Sequence, residues 1–154
     1  MTSLYVVDTS VISTLAPGRQ ESTLPTVKWL LENSASLYLS TVTIAEIHQG
    51  IAKLIRIGGT QKAGRIEAWL ETICAEFGER IIPVSLPIAR LAGEISDAAN
   101  AIAKNPGFAD ILIAATAMVN DAELLTCNLR HFQHLGVRHS NPFDWGANAR
   151  PIEN

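Results

Sequence analysis

Four short apolar runs, SLYVVDTS, SLYLS, RIIPVS and ELLTC, alternate along the chain with stretches whose apolar residues recur at helical spacing. Short apolar runs bounded by polar turns read as buried strands, and their alternation with helices predicts parallel pairing. A last strand is expected near GVRH, before NPFDW. Helices are expected over TLPTVKWLLEN, over Thr43 to Ile57 and over Leu86 to Ala103. The second of these is striped by Ile44, Ile47, Ile51, Leu54 and Ile55 and stopped by Gly58-Gly59. Another amphipathic helix follows it, with Ile66, Trp69, Leu70, Ile73 and Phe77 on one face, so the two form a helical hairpin. The expected fold is a three-layer α/β/α sandwich with a mostly parallel central sheet. In such sheets ligands bind beyond the carboxyl ends of the strands.

One helix carries an anomaly. In FADILIAATAMV the positions Phe108, Ile111, Leu112, Ala115 and Val119 make an apolar stripe, and Ile113, Ala114, Ala117 and Met118 fill the neighbouring faces. A helix with so little polar surface should be buried. Asp110 lies within it. A buried charge without a partner is very costly, so something must meet this carboxylate.

The length suits one domain spanning 1–154, and 47% hydrophobic with 18% charged residues is a globular composition. No apolar run reaches the ~18 residues of a membrane span, and the N-terminus lacks the basic start and long apolar core of a secretory signal. Cys74 and Cys127 lie in ETICAEF and LLTCNL and read as core positions, without metal-site spacing. A cytoplasmic location is therefore expected. A net charge of −3 disfavours a bulk nucleic-acid binder, yet permits a nuclease with a small local site.

Three acids carry the chemistry, and each has an ordinary alternative. Asp8 follows LYVV and could cap the next segment. Glu46 lies three residues after Thr43, and TIAE matches a capping box. Asp110, after NPGFA, could cap its own helix. Together, however, all three stand near helix starts that follow strands or turns, where a parallel sheet could gather them on one rim. Two carboxylates ~4 Å apart in a partly shielded site repel by roughly 4 kcal/mol, so a proton or a cation must lie between them. Oxygen ligands of this kind suit a hard ion such as Mg²⁺, which binds phosphate oxygens and activates water. Spacing alone leaves both readings open.

The segments VVDTSVIS, STVTIAEIHQGI, FADILIAATA and LLTCNLRHF followed by NPF resemble, in order, the motifs of PIN-domain proteins. They look most like the VapC and FitB-type toxins of bacterial toxin–antitoxin pairs, from about Ser3 to Trp145. The resemblance implies a metal-dependent endoribonuclease that acts as the toxin of such a pair, hydrolysing RNA phosphodiester bonds to leave a 5′-phosphate and a 3′-hydroxyl. It implies that Asp8, Glu46 and Asp110 are the catalytic acids and hold Mg²⁺ or Mn²⁺. Ser10, Thr126 and Asn128 match the supporting hydroxyl and amide positions. It also implies a cognate antitoxin gripped by the helical hairpin, a homodimer, and a larger complex on DNA through the antitoxin, with no membrane association.

One position departs from the pattern. Many relatives carry a fourth acid just before the phenylalanine of the last motif, where this chain has His131. That residue reads as a surface histidine, a hydrogen-bond partner of the acids or a ligand. It sustains the rival reading of a catalytically silent PIN domain that binds an antitoxin or RNA. Arg130 is the candidate for RNA binding nearest the last motif, while Lys53, Arg56, Lys62 and Arg65 decorate the hairpin. Asp97, Asp121 and Asp144 match no motif. A receiver domain would need an acidic pair after the first strand and a lysine after the last. A haloacid-dehalogenase-type phosphatase would need an aspartate where Ser10 stands.

Overall fold

The computed structural model describes residues 3–19 and 24–146. The expected span of 1–154, and Thr23 at the start of the first long helix, extend outside the described residues. Five strands, β1 (Tyr5–Val7), β2 (Leu37–Ser40), β3 (Ile81–Ile82), β4 (Glu123–Leu125) and β5 (His139–Ser140), form one sheet in the order β3-β2-β1-β4-β5. All four pairings are parallel, with Val6 opposite Tyr38 on one side and Leu124 on the other. The sheet is thus wholly parallel. The chain crosses from β3 to β4 past the central β1, which puts the topological switch at the carboxyl ends of β1 and β4.

Strand alternation sorts the core into two faces. Tyr5, Val7, Leu37, Leu39 and Leu125 pack against α2 (Leu24–Glu32), α3 (Thr41–Arg56) and α4 (Thr60–Phe77). Val6 and Leu124 face α5 (Leu86–Ala101), α6 (Phe108–Val119) and α7 (Leu129–Phe132). Trp29 of α2 meets Tyr5 edge-on at 5.4 Å and Trp145 at 4.8 Å, which ties the 3₁₀ turn Pro142–Trp145 to the first face. The α3–α4 hairpin forms as expected, turning at Gly58 with φ 89°. Its Leu70, Ile73 and Phe77 are buried, and Ile66, Trp69 and Cys74 are partly so.

Several boundaries differ from the sequence reading for local reasons. β3 stops at Ile82 because Pro83 has no N–H to give the ladder. The last strand comes after Val137, at His139–Ser140. Helix α5 ends at Ala101 rather than Ala103, which turns left-handed at φ 55° while the Lys104 N–H bonds back to the Ala99 carbonyl at 2.9 Å. Helix α6 is buried along Ile111 and Ile113–Ala117, but Phe108 is 57% exposed at its first turn. Phe108 is therefore not a core residue: it stands at the rim, before the helix slides under its neighbours.

Candidate metal-binding carboxylate site

The three acids reach the rim from three elements. Asp8 directly follows β1 and holds the N-cap position of the short helix α1 (Thr9–Ile12), where its carbonyl accepts from Val11 and Ile12 N–H. Its side chain does not cap. The carboxylate is 3% exposed, and Oδ2 accepts from Ser10 Oγ at 2.7 Å and from Thr126 Oγ1 at 2.9 Å. Both hydroxyls are held in turn: Cys127 N–H donates to Ser10 Oγ at 3.0 Å, and Asn128 N–H donates to Thr126 Oγ1 at 3.0 Å. Such donors lower the cost of burying a carboxylate.

Glu46 corrects the capping-box reading. Ser40 caps α3 by accepting from Val42 N–H at 3.1 Å, so the helix starts at Thr41 and Glu46 lies well inside it. A side chain that deep cannot reach back to the first turn. Its Oε1 instead accepts from Thr9 Oγ1 at 2.6 Å, across to the segment after β1. Asp110 sits in the first turn of α6 behind Gly107, and no side-chain cap bond is made there. The partner that its burial requires is His131: Asp110 Oδ2 accepts from His131 Nδ1 at 3.0 Å. Proton donation from Nδ1 leaves Nε2 of the neutral ring as an acceptor.

A common pattern emerges. Each carboxylate has one oxygen occupied by a protein donor, and the other accepts no hydrogen bond among the described residues. The acids also feel one another. Burial raises the Glu46 pKa against the Thr9 hydrogen bond, and the charges of Asp8 and Asp110 push it further up. Burial likewise raises Asp110, opposed by His131, with the Asp8 charge adding to the rise. Among the described residues no three His, Cys, Asp or Glu groups stand in a ready-made ligand cage. The arrangement therefore suits a cation that keeps part of its water shell better than a tightly caged one.

The supporting candidates separate. Ser10 and Thr126 hold Asp8, and His131 holds Asp110. Asn128 contributes its backbone N–H, while its exposed side chain makes no hydrogen bond with the described residues. Arg130 is exposed on α7 beside His131. Lys53 and Arg56 are exposed on the last turns of α3. The sequence reading missed Thr9, although a hydroxyl next to Asp8 was a usable signal. Cys127, read as core, also borders the site: its thiol donates to the Ser10 carbonyl at 3.7 Å, and burial, with the Asp8 charge a smaller contributor, raises its pKa. Beside Glu46 opens a groove of about 710 Å³ with Ile51, Ile66 and Trp69 on its walls and Lys62 and Arg65 among its lining residues.

The profile of the PIN domain matches residues 5–137. This chain belongs to the PIN-domain family. Among relatives of this PIN domain, the toxin FitB of Neisseria gonorrhoeae is 32% identical over 144 residues, covering 91% of this chain and 99% of its own. Ribonuclease VapC10 of Mycobacterium tuberculosis is 36% identical over 106 residues, covering 68% and 70%. The solved structure of FitAB bound to an IR36 DNA fragment superposes with a TM-score of 0.72 at 32% identity, covering 91% of this chain and 96% of the other.

Proposed function

We propose that this PIN domain is an endoribonuclease that acts as the toxin of a toxin–antitoxin pair, with Asp8, Glu46 and Asp110 as its working acids. One observation carries the reading: three carboxylates on one rim, each pinned through one oxygen and open at the other. The names of the FitB and VapC10 relatives support the same class. The open oxygens form a hard, anionic donor set that fits Mg²⁺ or Mn²⁺, and Asp8 Oδ1, Asp110 Oδ1 and Glu46 Oε2 would hold the ion. When bound, the ion supplies charge that offsets the scissile phosphate and lowers the pKa of water.

The chain's own groups do the rest. Ser10 and Thr126 fix the rotamer of Asp8, Thr9 fixes Glu46 and His131 fixes Asp110, so the open oxygens are aimed before substrate arrives. Glu46 Oε2 is the acceptor we assign for the proton of the attacking water, since burial and its two acidic neighbours raise its proton affinity. In-line attack then leaves a 5′-phosphate and a 3′-hydroxyl. The groove beside Glu46 is the seat we assign to the antitoxin, whose docking would cover that acid. The FitAB relative bound to DNA supports a DNA-bound complex formed through the partner, and we assign a homodimer in the cytoplasm. Among the described residues no helix is long and apolar enough to cross a membrane.

The second reading is a silent PIN domain, favoured by His131 in place of a fourth acid. Titration calorimetry with Mn²⁺ decides between them, alongside mapping of cleavage ends in total RNA with an Asp110→Asn control. Metal binding together with new 5′-phosphate ends absent from the control supports the enzyme. Lack of both supports the silent domain.

A further inference from the structure

On the opposite flank of the rim from the groove lies a second concavity, of about 250 Å³, between the α5–α6 loop and α7. We propose that it is a phosphate subsite for the RNA strand, taking a backbone phosphate that flanks the one being cut. This rests on the ribonuclease reading above. Lys104 and Asn105 line it from the loop, and Arg130, His131 and His134 from α7 and the turn that follows. The chain carries a net charge of −3, yet this pocket gathers two cations and two of the four histidines. Neither Lys104 nor Arg130 has a salt bridge among the described residues. Unpaired cations in a concave wall concentrate positive potential, and a guanidinium offers a planar fork that matches two phosphate oxygens.

Position adds to charge. His131 belongs both to this pocket and, through its Nδ1 bond of 3.0 Å, to Asp110. An anion in the pocket therefore lies one side chain away from the acid rim. Gln133 Nε2–H donates to His134 Nε2 at 3.1 Å, which makes that nitrogen the acceptor and leaves Nδ1–H as a donor. Phe108, 57% exposed and two residues before Asp110, offers an aromatic face at the same rim, the companion that single-stranded nucleic-acid sites use to stack a base. A basic pocket joined to an exposed ring fits a ribonucleotide strand better than an acidic peptide segment, which has no base to stack.

The test uses Asp8→Asn protein, so that the strand is not cut, and a short fluorescein-labelled single-stranded oligoribonucleotide titrated over a series of KCl concentrations. Adding Lys104→Gln and Arg130→Gln, both exposed, should weaken binding. It should also flatten the slope of log K against log salt by about 1.4, from two lost phosphate contacts at about 0.7 each. An unchanged slope overturns the subsite. So does displacement of the RNA by a polyglutamate peptide from the parent but not from the double variant, because the pocket would then be a peptide site. Cleavage by the protein with Asp8 restored reads the ribonuclease assignment separately. Cleavage with an unchanged slope removes the subsite alone, and a flattened slope without cleavage removes the enzyme alone.

Discussion

The two flanks of the acid rim differ in kind. Toward α3 and α4 the surface falls into a groove with apolar walls, bordered by Lys62 and Arg65 and reaching Glu46. Toward α5–α6 and α7 it falls into a smaller, basic pocket reaching Asp110 through His131. Apolar area binds partners that can surrender apolar surface of their own, such as an amphipathic segment, whereas unpaired cations bind phosphate. One rim thus faces two classes of macromolecule, with an acid at the edge of each approach. Control by a protein partner and grip on a substrate can then vary independently.

Breaking the rim itself should give the largest effect. Asp8→Asn or Asp110→Asn should lower RNA cleavage by about 10²-fold or more, with the circular dichroism spectrum intact and both flanks still able to bind. Retained cleavage in both variants removes the assignment. Next comes the support of the acids: His131→Ala and Thr9→Val should each weaken Mn²⁺ binding by about 10–100-fold in calorimetry, as loss of groups that orient metal ligands does. The groove is probed by Lys62→Glu with Arg65→Glu. If it seats the antitoxin, capture of that partner should weaken by about 1 kcal/mol, roughly fivefold in Kd, while RNA affinity in the Asp8→Asn background stays put. A drop in RNA affinity instead would merge the two flanks into one surface.

The smallest effect concerns charge within the rim. Glu46 and Asp110 both have pKa values raised above the ordinary carboxylate values of an unfolded chain. The folded state therefore binds more protons, and stability should increase as pH falls from neutral into the carboxylate range. Thermal melts in EDTA should show that rise, and saturating Mg²⁺ should flatten it by competing with the protons. Glu46→Gln keeps the acceptor for Thr9 but removes one charge. After solvent screening the gain is about 1 kcal/mol or less, so Tm in EDTA should increase by about 2–3 °C. A lower Tm would show that Glu46 contributes to the fold more than it strains it.

The layered fold was legible because its signal is periodic. Strand runs such as LYVV and LYLS are too apolar to face water, and the helical stripes of α3 and α4 specify which side of each is covered. The family motifs were legible for a different reason: each places an acid next to a recognisable turn or helix start. Boundaries were less so. The α3 start depended on whether Ser40 or Thr43 would cap it, and both are competent caps. Phe108 followed the apolar period of α6, but its helix had not yet passed beneath its neighbours at that point, and periodicity is blind to where cover begins.

What the chain determined by itself is the alternating pattern, the identity of three acids and the solitary carboxylate that needed company. What only the tertiary structure decided is who that company is. Asp110 meets His131 from the segment after β4, Glu46 meets Thr9 from the segment after β1, and Asp8 meets Thr126 from the end of the neighbouring strand. Hydrogen bonds between residues far apart in sequence depend on strand order and register, which bring the ends of β1 and β4 together. No local pattern encodes that adjacency, because it is a property of the closed sheet rather than of any one segment.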